Sequence, residues 1–261
     1  MSRMIALLYG AACYALFLAT IVYAIGFVAG TGVPKHVDSG SSPGLAIALA
    51  INLALLGLFA VQHSGMARPR FKRWWTKIVP ASIERSTYVL LSSLALLLVF
   101  ALWQPLPQPV WTVAAEPARI ALYVLSGVGW LLVFSSTFLI NHFELFGLQQ
   151  AWRHGRDPEA GIPPFVTRAF YRIVRHPLML GFLVAFWATP TMTLGHLLFA
   201  LATTGYILVA VRFLEERDLV AVYGETYCDY QRRVPMLLPV PRRPHSTPPR
   251  PRAPQSVTDG V

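Results

Sequence analysis

Residues 178–213 read "LMLGFLVAFWATPTMTLGHLLFALATTGYILVAVRF". At about 1.5 Å per residue this apolar run is far too long for one membrane-crossing helix. It is interrupted by "ATPTMTLG", Ala188 to Gly195, where Pro190 and Gly195 break helical continuity. The run therefore predicts a tight helical hairpin of two crossings, the first of them short. Working outward, four further stretches meet the requirement of about 20 mostly apolar residues: 4–29, 44–65, 86–103 and 119–141. The expected fold is all-α, a polytopic transmembrane helix bundle of six spans, or five if the hairpin only dips into the bilayer.

Composition agrees. The chain has 261 residues, 55% of them apolar and 13% charged, with a mean hydropathy of +0.51. Soluble domains average about 45–50% apolar and about 25% charged. A formal net charge of +10 raises nucleic acid as a partner, but the charges lie in blocks between apolar runs. There is no basic face with interleaved stacking aromatics, so nucleic-acid binding is not expected. Cys13 and Cys228 are too few for a disulfide framework. The first apolar stretch, Ile5 to Val28, exceeds the about 7–15 residues of a signal-peptide core and reads as a retained span.

The basic residues set an orientation. The loop at 66–85 carries Arg68, Arg70, Lys72, Arg73, Lys77 and Arg85, and the loop at 142–177 carries Arg153, Arg156, Arg168, Arg172 and Arg175. The segment from Arg212 onward is also rich in Arg, whereas the alternate loops at 30–43 and 104–118 offer only Lys35. Both termini and any site among these loops are thus expected on the cytoplasmic face of a bacterial inner membrane. Residues 1–239 read as one membrane-embedded domain. The Pro- and Arg-rich tail at 240–261 cannot bury a core and is expected to be disordered.

Ionisable groups inside spans are costly and usually functional. Here they gather at span ends on the basic side. "AVQHS" (60–64) closes the second span and "LINHFELFGLQQ" (139–150) the fourth; "VRHP" (174–177) opens the hairpin and "RFLEERDL" (212–219) ends it. His63, Asn141, His142, Glu144, Arg175, His176, Arg212, Glu215 and Glu216 therefore converge if the bundle is compact. Any one of them also fits an interfacial anchor. His63, His142 and Glu144 raise a metal or haem reading, but no close ligand spacing such as H-x-x-x-H is present, and no metal site is assigned. Neither a Gly-rich phosphate loop nor a nucleophile elbow appears.

"RHPLMLG" (175–181), the apolar hairpin and "EERDLVAVYGETYCDYQRRVP" (215–235) together resemble the integral-membrane methyltransferases related to isoprenylcysteine carboxyl methyltransferase and phospholipid methyltransferase. The pattern there is R-H-P-x-Y-x-G, E-E-x-x-L, G-x-x-Y-x-x-Y and V-P. Met179 stands where that group usually has Tyr. "NLALLGLFAVQHSGMARPRFKRWW" (52–75), "ERSTYVLLSSLALLL" (84–98) and "STFLINHFELFGLQQAW" (136–152) resemble the bacterial methanethiol S-methyltransferases, which sit beside NnrU-like membrane proteins. Together the two resemblances cover most of residues 50–236.

The resemblance implies methyl transfer from S-adenosyl-L-methionine to a small thiol, giving dimethyl sulfide from methanethiol. The cofactor half is then about 171–236. Arg175 and His176 suit the donor's carboxylate, helped by a helix starting at Pro177. Glu215 or Glu216, with Arg212 nearby, suits its ammonium or ribose, and Tyr171, Tyr227 and Tyr230 its adenine or sulfonium. His142 and His63 are candidate bases for the thiol, with Glu144 to orient or accept the proton, and Gln62 and Asn141 are candidate substrate contacts. The expected partners are a small thiol and the lipid bilayer, with no obligate protein partner. Three other readings stay open: methylation of a prenylcysteine carboxylate or phospholipid amine, an NnrU-like haem or metal protein using His63 and His142, and a non-enzymatic membrane scaffold.

Overall fold

A computed structural model describes residues 2–154, 165 and 167–240. The expected disordered tail lies, but for Val240, outside the described residues. Helix α1 (Arg3–Ala29) starts under the Ser2 hydroxyl, which accepts from the Ile5 amide, and ends at Gly30 with φ 72°. Helix α2 (Leu45–Ala67) runs into the short basic α3 (Pro69–Trp75). Helix α4 (Glu84–Leu102), strand β1 (Pro109–Thr112) and α5 (Glu116–Ile140) follow. Two short helices, α6 (His142–Leu145) and α7 (Leu148–Arg153), fold back beside α1.

The hairpin forms as its sequence suggests. Helix α8 (Pro177–Trp187) is only 11 residues long and is followed by β2 (Thr191–Thr193) and α9 (Leu194–Ala210). Among the described residues five helices are long and apolar enough to cross a membrane: α1, α2, α4, α5 and the continuous Leu194–Tyr223. The first leg of the hairpin falls short of that length, so the count is five full spans plus one short helix. At about 1.5 Å per residue α8 covers roughly half of a ~30 Å hydrocarbon layer.

Between α8 and α9 lies a feature the sequence did not announce. β2 pairs antiparallel with β1, placing Trp111 opposite Met192. Around the pair, Val113 N donates to Pro190 O (2.8 Å), Leu194 N to Gln108 O (2.9 Å) and Gly195 N to Leu106 O (2.9 Å). A helix break in apolar surroundings exposes backbone groups that cost several kcal/mol each if unpaired (about that order). The β1–β2 patch pairs them.

Helices α5 and α8 meet along a seam of small residues. A Cβ built at Gly129 would lie 2.6 Å from Ala185 N, and one at Gly181 would lie 2.7 Å from Gly129 O. Only glycine lets the two backbones come this close. Deeper in, Phe27, Phe100, Trp103 and Phe199 interlock with ring centroids 4.6–6.0 Å apart. This aromatic core lies at the end of the bundle remote from the basic loop 66–85. The site residues lie at the other end.

Candidate active site

At the basic end three pieces of chain close one corner. A 3₁₀ turn (Ala169–Arg172) leads to Arg175 and His176, and Pro177 opens α8, where its missing N–H costs nothing. The second piece is a π turn at Val211–Glu215 that leads directly into α10 (Glu216–Tyr223). The wider π turn changes the direction in which the next side chain leaves the helix. Glu216 is 3% exposed, while the neighbouring Glu215 side chain is 45% exposed. The third piece is α11 (Glu225–Arg233), reversed against α10 by Gly224 at φ 56°, ψ −132°, a region of backbone space open essentially to glycine. That reversal carries Tyr227, Tyr230 and Gln231 back onto the corner.

The corner is a closed ionic network. Arg175 Nε donates to Glu216 Oε1 at 2.6 Å, and Arg175 Nη1 donates to the carbonyls of Gln231 (3.1 Å) and Val234 (2.6 Å). His176 Nε2 lies 3.2 Å from Glu216 Oε1, and its Nδ1 lies 3.5 Å from Glu215 Oε2. Gln231 Nε2 donates to Glu216 Oε2 at 3.1 Å. The backbone amides of Arg175 and His176 donate to Pro235 O (2.9 Å) and Met236 O (3.1 Å). Burial by itself would lower the His176 pKa, but its hydrogen bonds and charge interactions with Glu215 and Glu216 raise it to about 9. Nε and Nη1 of Arg175 are thus engaged by groups of its own chain. Arg212 is exposed on the π turn, outside this network.

Aromatic rings cover the corner. Phe165, Tyr227 and Tyr230 form a triangle with centroids 5.2–5.7 Å apart. Tyr230 donates its hydroxyl proton to the Tyr171 carbonyl, and burial pushes its own pKa up to about 12. Burial also raises the pKa of Tyr227. The Tyr227 hydroxyl is buried and bonded to no group among the described residues. Beside this triangle opens a cavity of about 470 Å³, lined by Phe165, Thr167, Arg172, Thr226, Tyr230, Arg233 and Val234. That volume falls within the range of ligand pockets, about 300–1,000 Å³.

The other sequence candidates form two separate polar groups at the same end. His142 is 4% exposed. Its Nδ1 lies 2.8 Å from Thr137 Oγ1, its Nε2 lies 2.6 Å from Tyr14 Oη, and its ring stacks on Phe138 at 4.0 Å. Burial pushes its pKa below the ordinary imidazole value. Asn141 donates to Glu144 Oε2 (2.6 Å) and Gln149 Oε1 (3.0 Å), tying down the turn after α5. His63 sits between α2 and α4, with Nδ1 3.2 Å from Ser92 Oγ and the Tyr88 hydroxyl 3.1 Å from each ring nitrogen. Gln62 Nε2 donates to Ser92 Oγ (3.3 Å) and Met66 Sδ (3.2 Å). Among the described residues no group of three or more His, Cys, Asp or Glu has metal-holding geometry.

Tyr88, Tyr206 and Gln231 belong to these groups and were not singled out by sequence. Tyr206 bonds Ser64 at 2.9 Å, and Arg68 bridges to Asp218 at 3.0 Å, clamping the end of α2 onto α9 and α10. A signal existed for the tyrosines: each is a hydroxyl within an apolar span, near its basic end. Gln231 follows Tyr227 by one helical turn, which puts both on one face of α11.

The chain resembles known proteins along most of its length. Residues 51–236 match the model of the family described as NnrU protein. The chain is 57% identical over 241 residues to methanethiol S-methyltransferase 2 of Bradyrhizobium diazoefficiens, covering 91% of each chain. It is 56% identical over 246 residues to methanethiol S-methyltransferase of Mycobacterium tuberculosis, covering 93% of this chain and 99% of that one. To nurim of Pan troglodytes it is 37% identical over 180 residues, 66% of this chain and 68% of that one. No solved structure matches the chain significantly. A five-span bundle with its ionic corner at one end, matched along 186 of its residues (51 to 236 inclusive) by one family model, is an integral membrane protein of the NnrU family.

Proposed function

We propose that the protein methylates a small volatile thiol, methanethiol to dimethyl sulfide, with S-adenosylmethionine as donor, at the cytoplasmic face of a bacterial inner membrane. The observation that carries this reading is the buried corner of Arg175, His176, Glu215 and Glu216 under Tyr227 and Tyr230. It occurs in a chain more than half identical to proteins named for that reaction. The basic loops supply the orientation.

The residues fit such a donor. The Glu215 carboxylate, half-exposed, is free on its outer side to take an ammonium or a ribose hydroxyl. The Tyr227 hydroxyl, without a partner among the described residues, has a proton to donate. The rings of Phe165, Tyr227 and Tyr230 suit an adenine or a sulfonium. Because Arg175 holds Glu216, the carboxylate falls to Arg172 and Arg233 at the cavity rim. When bound, the donor supplies an electrophilic methyl group. The protein's own part is alignment and exclusion of water. Glu216 and His176 hold the corner rigid, and apolar helix faces hold the thiol. Selectivity against slightly larger thiols should be poor, since one methylene is worth about 1–3 kcal/mol.

Headspace gas chromatography of membranes given methyl-labelled S-adenosylmethionine and methanethiol tests the reading. Labelled dimethyl sulfide is the expected product. Label in the lipid fraction with no volatile product would replace the thiol by a lipid acceptor.

A further inference from the structure

We infer that the thiol is deprotonated at His63, within the polar chamber between α2, α4 and α9, and that His142 is a structural residue. The inference rests on the methyltransferase reading above and identifies its acceptor site. Both histidines lie at the basic end, and their hydrogen bonds separate their roles.

At His142 every proton is assigned. Thr137 has one hydroxyl proton, and its oxygen lies 2.7 Å from Phe134 O, an acceptor only. The proton goes there, so across the 2.8 Å contact with His142 it is Nδ1–H that donates and Thr137 Oγ1 that accepts. Nε2 then carries the lone pair, and the Tyr14 hydroxyl fills it at 2.6 Å. The ring is boxed by Phe138, Phe143 and Phe146 at centroid distances of 4.0, 5.4 and 4.9 Å. No nitrogen is open to a thiol.

His63 is different. The Tyr88 hydroxyl stands 3.1 Å from both Nδ1 and Nε2 and can serve only one at a time. Ser92 can meet Nδ1 as donor or acceptor. Either tautomer is therefore satisfied, and a proton taken at one nitrogen can leave from the other. Next to it, Gln62 Oε1 is buried with no partner among the described residues, an acceptor suited to an S–H group. Phe59 stacks on His63 at 5.2 Å and meets Tyr206 at 6.3 Å, giving the chamber an apolar wall. Tyr206 hydrogen-bonds Ser64, the residue after His63, at 2.9 Å, and Arg68 at the end of α2 bridges at 3.0 Å to Asp218 on α10, the helix that carries Glu216. The chamber thus borders the place from which a methyl group would come.

The step balances. The S–H bond breaks and its proton goes to a ring nitrogen of His63. A sulfur lone pair forms the new carbon–sulfur bond as the methyl group's bond to the sulfonium breaks. That electron pair stays on the donor sulfur, leaving a neutral thioether, and His63 then returns the proton to water.

The test pairs two thiols of different acidity, methanethiol and 2,2,2-trifluoroethanethiol, with two variants, and measures S-adenosylmethionine binding separately by calorimetry. His63→Gln should bind the donor like the parent protein yet lose about 10²–10⁴-fold in turnover with methanethiol. With the more acidic thiol, which needs less help to ionise, that loss should shrink roughly tenfold or more. His142→Gln should lower Tm, and whatever activity it loses should be equal for both thiols. Equal losses for both thiols in His63→Gln, or full activity there, overturn the assignment, as does an acidity-dependent loss in His142→Gln. A parent protein that binds the donor but makes no thioether from either thiol fails the functional reading itself, and the assignment with it.

Discussion

Two buried corners share one end of this bundle and solve the same problem in opposite ways. The corner around Arg175 and Glu216 takes full charges out of water and pairs them. The corner around His142 takes in a neutral ring and saturates it with two hydroxyls and three phenyl groups. A charged corner can engage a charged ligand but fails badly if one partner is removed. A neutral one binds little and is nearly indifferent to salt or to small shifts in charge. The difference is between a corner built of paired charges and one built of neutral hydrogen bonds and ring contacts.

The sharpest way to break the comparison is Glu216→Ala. It leaves the Arg175 guanidinium buried, with two carbonyls and no counter-charge. Losing one partner of a buried pair costs about 3–5 kcal/mol. The variant should show a large fall in Tm in detergent and no retained donor, whereas replacing Tyr14 by Phe in the other corner should cost only about 1 kcal/mol. Comparable losses would mean that charge is not what distinguishes them. The next effect in size is Gly181→Ala. The new methyl would press on Gly129 O and on Val133, whose Cγ2 lies 2.9 Å and N 2.9 Å away. Overpacking of this kind costs about 1–3 kcal/mol. Since α5 ends at one corner and α8 begins at the other, donor binding and the environment of His142 should both suffer.

The smallest effect is a pair of opposed pH slopes. In the folded protein His176 titrates near 9, above the ordinary 6.5. Its contribution is complete below about pH 6.5 and is lost as pH rises through 9. His142 is shifted downward. Its contribution is present above about pH 6.5 and is lost as pH falls below that. Thermal melts from pH 5 to 10 should lose their alkaline decline in His176→Gln and lessen their acid decline in His142→Gln. Slopes of the same sign in the two variants would contradict the contrast.

Much of this was legible in the sequence because hydropathy reports membrane spans directly. The stretch 4–29 became Arg3–Ala29, and the breakers in "ATPTMTLG" did divide the hairpin. The motif residues Arg175, His176, Glu215, Glu216, Tyr227 and Tyr230 came together because one-dimensional pattern and span ends agreed. What stayed hidden was non-local. β1 and β2 are about 80 residues apart, and "PVWT" and "TMT" carry no mark of partnership. The π turn depends on how Val211 packs against its neighbours, and propensity does not report that. The pairing of Arg175 with Glu216 was also invisible, because a sequence shows two opposite charges but not whether they face each other or a ligand. His63 and His142 looked alike for the same reason. Their hydroxyl partners, Tyr88 and Ser92 against Tyr14 and Thr137, come from other helices, whose packing a string of letters does not give.

The carbonyls of Pro235 and Met236 receive the amides of Arg175 and His176, and Val234 receives the Arg175 side chain. The corner therefore cannot be completed while the ribosome still holds those residues. A chain ending before residue 234 would lack all three acceptors and leave the corner open.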